Sequence, residues 1–233
     1  MPSPFLLRSR AYAVHLLSAS GVVAAFLAVA ELFDDAPDER VVFAWLVVAV
    51  VTDAIDGPLA RAWDVKRLAP DINGRTIDEI VDYLTFTFVP LLLVWRMGWV
   101  PFAPGIAGVA WIVPALLASL LGFANVQAKD EAAGYFRGFP SYWNIAVFYA
   151  GLAFHGLGET GQWLNAAILL ALAALTVSPA RFLYPNLTPR PWKLPGIFGA
   201  VAWLAALVGM LDVYRRMPGW VVGVSVVYPA LYV

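Results

Sequence analysis

The chain is a succession of long apolar runs broken by short polar turns. Residues 11–33, 40–61, 77–97, 103–123, 141–157, 162–178, 194–212 and 217–233 each read as an apolar segment bounded by Pro, Gly or charge. About 20 such residues carry a helix across the hydrocarbon core of a bilayer. Fitting eight of them into 233 residues leaves no length for a separate soluble domain. Hydrophobic residues make up 61% of the chain and charged residues only 13%, where soluble domains carry roughly 25% charged residues. The expected fold is all-α: a polytopic membrane helical bundle of about eight transmembrane helices, forming one domain over residues 1–233.

The first run follows Arg8 and Arg10, and Ala28-Val29-Ala30 resembles a small-residue cleavage site. It is longer than the ~7–15 residues of a signal core and contains His15, Ser18 and Ser20, so it reads as a retained helix. Polar side chains inside spans commonly hydrogen-bond between helices, which is the plain reading of these three. With the N-terminus in the cytoplasm, that side collects Arg8, Arg10, Arg61, Lys66, Arg67, Arg75, Lys129, Arg137, Arg181, Arg190 and Lys193. Arg40, Arg96, Arg215 and Arg216 fall opposite, and the last pair runs against the rule. The absence of cysteine excludes disulfides, thiolate catalysis and Cys-ligated zinc.

Ionisable residues inside membrane segments are costly and mark function. Here they gather at the end of the second segment and the start of the third. Asp53 and Asp56 are three apart and Asp78 and Asp82 four apart, so each pair shares a helix face. Four neighbouring carboxylates repel one another unless cations intervene. Two divalent ions cancel the formal charge, and oxygen-only ligands suit hard Mg²⁺, Mn²⁺ or Ca²⁺ rather than zinc. The plainer alternative is an ion-paired structural cluster with Arg61 and Arg75. Gly57, Ala60 and Gly74 are small enough to admit a ligand or another backbone, and Arg61 offers a permanent charge to a phosphate. Asp64 and Asp71 read as solvated charges of the intervening loop.

Asp53-Ala54-Ile55-Asp56-Gly57-Pro58-Leu59-Ala60-Arg61, followed by Gly74, Asp78 and Asp82, resembles the signature of the CDP-alcohol phosphatidyltransferase family. The resemblance implies a di-metal centre on Asp53, Asp56, Asp78 and Asp82, holding Mn²⁺ or Mg²⁺, with Asp82 as the base for the acceptor hydroxyl. It places the cytidine diphosphate against Asp53, Gly57, Ala60, Arg61 and Gly74, and it implies a homodimer. Twelve residues, 62–73, separate Arg61 from Gly74, more than in the commonest members. That spacer resembles the branch of bacterial phosphatidylcholine synthases, as do Ala13-Val14-His15-Leu16 and Gly138-Phe139-Pro140-Ser141-Tyr142-Trp143-Asn144.

The branch implies CDP-diacylglycerol and free choline as substrates, an inner-membrane location and an active site facing the cytoplasm. A quaternary ammonium is recognised by aromatic faces. The candidates are Tyr135, Phe139, Tyr142 and Trp143, with Asn144 as a polar contact and Glu131 as a counter-charge. An interfacial aromatic belt explains the same cluster equally well. The rival functions are a family member using serine, an inositol phosphate or glycerol phosphate, and a cation transporter with membrane aspartates.

Overall fold

The computed structural model describes residues 3–125, 127–130, 135–183 and 190–230. It falls into two compact units, Met1–Val89 and Pro90–Val233.

In the first unit, α1 (Pro4–Leu32) starts at Ser3, whose hydroxyl accepts from Leu6 N at 3.3 Å while Pro4 occupies the first turn. A short turn, closed by Glu31 accepting from Asp38 N at 2.9 Å, leads to α2 (Glu39–Ala62). Asp38 caps α2 by accepting from Arg40 N at 2.8 Å. The two helices pack through Ala24, Ala28 and Leu32 of α1 and Val42, Phe43, Leu46 and Ala49 of α2, all buried at helical spacing. Leu16, Val23, Phe26, Val48, Val51 and Ile55 are exposed on the same helices, as lipid-facing side chains would be.

The spacer after α2 carries a short helix, α3 (Val65–Leu68), and leads to α4 (Gly74–Asp82), whose Asn73 cap accepts from Thr76 N. Both pack against α1. A π-helical stretch, Tyr83–Phe88, begins directly after Asp82, with Thr85 donating to Val81 O at 2.9 Å. Such stretches hold an extra residue per turn and often lie beside functional sites.

From the boundary onward come α5 (Val89–Arg96), a 3₁₀ turn (Ile106–Gly108), α6 (Val109–Ala124), α7 (Trp143–Phe154), α8 (Gly158–Thr176), α9 (Arg190–Asp212) and α10 (Gly219–Ala230). Side chains tie these elements together: Tyr214 donates to Phe148 O at 2.9 Å, Asn165 to Trp99 O at 2.9 Å, and Trp203 to Tyr149 Oη at 3.0 Å. Apolar surface gains little from helix association in lipid, so such hydrogen bonds and close packing carry it.

Among the described residues, four helices are long and apolar enough to cross a membrane: Phe5–Leu32, Glu39–Ala62, Ile106–Ala124 and Pro195–Asp212. The chain is a membrane-integral, predominantly helical protein. Each of the other expected segments contains helix, but in shorter or less apolar form. The third is divided by the π stretch, the fifth ends in a 3₁₀ turn at His155–Leu157, and α10 is a 12-residue apolar helix. A small sheet departs from the all-α expectation. Strands β1 (Lys129–Asp130), β2 (Tyr135–Arg137) and β3 (Arg181–Leu183) pair antiparallel in that order, with Phe136 opposite Phe182.

Candidate active site

The aspartates stand where two helices of the first unit present them. α2 carries Asp53 and Asp56 near its C-terminal end, and α4 carries Asp78 and Asp82. One carboxylate oxygen from each of Asp53, Asp78 and Asp82 lies within 4.8 Å of those of the other two, and all three side chains are half-buried. Asp56, one turn further along α2, is the most buried of the four and lies outside this trio. A cluster of carboxylate oxygens from two helices fits a hard divalent cation such as Mg²⁺ or Mn²⁺ by donor type.

The small residues of the motif are used in different ways. At Gly57 a Cβ would stand 3.4 Å from Nη1 of Arg61, so the guanidinium, one turn ahead, folds back along the surface the glycine leaves open. Ala60 packs with Leu59 against Ala11, Val14, Val65 and Ala69. Gly74 meets the His15 ring: a Cβ there would be 2.9 Å from Cε1. Thus Ala60 and Gly74 allow close approach of protein.

The twelve-residue spacer is anchored to α1. The Tyr12 hydroxyl reaches both oxygens of Asp71 at 2.8 Å, and the Arg10 guanidinium lies 5.9 Å from the centroid of the Trp63 ring. As expected, Asp64 and Asp71 are both exposed charges of this loop, each with a partner there. Asp71 is clasped by Tyr12, a hydrogen bond that holds its carboxyl below the ordinary carboxylate range, and Asp64 pairs with Arg67. A loop acid with no local partner gives no sign of a tyrosine 59 positions earlier in the chain.

In the second unit the aromatic candidates divide by exposure. Trp143 is fully buried and donates to Ser119 Oγ at 2.7 Å, a hydroxyl that also accepts from Ser141 at 3.1 Å. Phe139, 8% exposed, stands edge-on to it with ring centroids 5.5 Å apart. Asn144 is buried and accepts from Ile145 N at 2.9 Å. Trp143, Phe139 and Asn144 are thus buried, while Tyr135 and Tyr142 are 38% and 36% exposed. Glu131 lies outside the described residues.

The fold also brings His15 of α1 against the motif. Its plain reading is helix-to-helix glue, yet its ring lies on the motif glycine Gly74. The signal that points to it is an ionisable side chain inside an apolar span.

No family model matches the chain. Among curated proteins it is 37% identical over 179 residues to the phosphatidylcholine synthase of Pseudomonas aeruginosa, covering 76% of this chain and 70% of that protein. It is 36% identical over 220 residues to the phosphatidylcholine synthase of Bradyrhizobium diazoefficiens, covering 94% and 77% respectively. The phosphatidylcholine synthase of Rhizobium meliloti is 33% identical over 229 residues, covering 96% and 87%.

Proposed function

The chain belongs to the phosphatidylcholine synthase family, and from that premise we propose that it transfers the phosphatidyl group of CDP-diacylglycerol to free choline, releasing CMP. The geometric support is the trio Asp53, Asp78 and Asp82, with carboxylate oxygens from two helices within 4.8 Å. In this reading Asp53, Asp56, Asp78 and Asp82 hold two divalent ions, Mn²⁺ or Mg²⁺. Bound there, such ions neutralise phosphate oxygens and keep the entering and leaving oxygens in line.

The chain's own groups perform the remaining steps. Arg61, folded over Gly57, pairs with the diphosphate, and Gly57, Ala60 and Gly74 leave the nucleotide room beside the aspartates. Asp82 takes the proton of the choline hydroxyl as its oxygen bonds to the phosphorus carrying diacylglycerol. The bond from that phosphorus to the CMP oxygen breaks, and CMP departs with the electron pair. The same reading makes residues 1–233 one domain of eight membrane segments in the bacterial inner membrane, with this site on the cytoplasmic side, where positive charge collects.

The direct test supplies the purified protein with CDP-diacylglycerol, Mn²⁺ or Mg²⁺, and choline, serine, an inositol phosphate or glycerol phosphate in parallel. Phosphatidylcholine and CMP should form together with choline alone. A preference for another alcohol would move the assignment to that acceptor.

Choline recognition is assigned to the exposed rings of Tyr135 and Tyr142. Replacing either with Ala should raise the KM for choline roughly two- to thirtyfold, the equivalent of ~0.5–2 kcal/mol of cation–π attraction. Phe in the same places keeps the ring face and most of the affinity. Unchanged choline dependence in both Ala variants would remove these rings from the acceptor site.

A further inference from the structure

Resting on the nucleotide reading above, we infer that His15 is a substrate-binding residue of this site, its Nε2 hydrogen-bonding to a diphosphate oxygen of the CDP-activated lipid. His15 is 7% exposed on the membrane-spanning helix α1, and its Nε2 is buried without a hydrogen-bond partner. A buried imidazole nitrogen left unpaired is destabilising, and native interiors rarely retain one without a ligand or water to meet it.

Its placement identifies the ligand's side of the protein. The ring lies where a Cβ of residue 74 would point, 2.9 Å from Cε1 and 3.2 Å from Nδ1. Gly74, Asp78 and Asp82 follow one another at four-residue steps and so share a face of α4. The ring therefore sits one turn before the first aspartate of that helix. Further along, Gly21 of α1 meets Val81 of α4, so the two helices run in the same direction. Val14, the residue before His15, belongs to the cluster on which Ala60 packs, which puts the imidazole level with the end of α2 that carries Arg61. An imidazole N–H seeks an oxygen acceptor. Choline offers one neutral hydroxyl oxygen, the attacking atom itself, whereas a diphosphate offers several charged ones.

Gly74 also acquires a second reason to lack a side chain. It seats the His15 ring, so Gly74→Ala should disturb nucleotide binding by displacing the imidazole.

The test measures CDP affinity in detergent-solubilised protein with Mn²⁺ present, by calorimetry, alongside thermal unfolding and separate KM values for CDP-diacylglycerol and choline. His15→Leu should weaken CDP binding about tenfold or more, the scale of one lost charge-assisted hydrogen bond. The KM for the lipid nucleotide should rise with it, and that for choline should stay put. His15→Gln, which keeps an amide N–H near the position of Nε2, should recover most of the affinity, and His15→Phe, which keeps a ring but no N–H, should lose it even if the Leu variant folds poorly. Wild-type binding with equal CDP affinity in the Leu and Gln variants would overturn the role of His15 and leave the nucleotide reading standing. Failure of the wild type to bind CDP would overturn that reading, and this inference with it.

Discussion

Asp78→Asn leaves the protein folded and nearly inactive, with weakened Mn²⁺ binding; Asp82→Asn loses turnover while still binding CDP. Both outcomes are expected from the way α2 and α4 bring Asp53, Asp78 and Asp82 together. Exchanging a carboxylate for an amide preserves shape and removes a negative charge, so a cation held by these oxygens is released more readily. Ligand loss acts on the transition state, where charge on the transferring phosphoryl group must be held, and added choline does not restore the rate. In the proposed mechanism Asp82→Asn also removes the proton acceptor, a contribution of typically ~10²–10⁴ in rate. Steady-state turnover, CDP binding and Mn²⁺ affinity measured on the same preparations separate the effects. An Asp82→Asn enzyme of near-normal rate would strike Asp82 from the mechanism. Full activity in chelator, with metal removal verified, would do the same for the di-metal centre.

Gly138→Ala is expected to destabilise the second unit more than a methyl added at Gly98 or Gly158, which also have positive φ. Gly138 has φ +83°, and a Cβ there would stand 2.0 Å from the Thr176 carbonyl oxygen, a backbone atom that cannot swing aside. The surrounding turn is fixed at both sides, since Gly138 N donates to Ala180 O at 2.7 Å and Phe139 N to Leu175 O at 3.1 Å. Backbone strain and forced overlap together give a cost of about 3 kcal/mol or more. Gly158→Ala provides the comparison, because nothing lies within 4 Å of its Cβ position. Strain alone at that site, φ 54° and ψ −131°, costs about 1–3 kcal/mol. Thermal unfolding in detergent should order the variants accordingly. Equal melting temperatures would mean that the Thr176 contact relaxes freely.

The motif is readable from spacing alone, because each aspartate pair lies on one helix and three or four residues fix a shared face. The apolar segments are equally plain, since hydropathy reports long helices well. What the two helices present to each other is not. Periodicity identifies a face but not its neighbour, so the grouping of Asp53 with Asp78 and Asp82, and the separate placement of Asp56, appear only in the structure. Gly74 advertises close approach without saying that His15 makes it. Trp143 reads in the sequence as one member of an aromatic cluster, and its burial and its bond to Ser119 appear only in the structure. The three strands escape notice because they are two or three residues long, too short for an alternating pattern to register.

The anchored spacer has a consequence for any chimaera built within this family. Residues 62–73 look like a self-contained insert that a shorter linker could replace, yet their grip is written elsewhere, in Arg10 and Tyr12 of the first helix. Exchanging the loop alone strands both of those side chains. The transferable module is the loop together with the opening turns of α1, two stretches far apart in the gene that must travel as one.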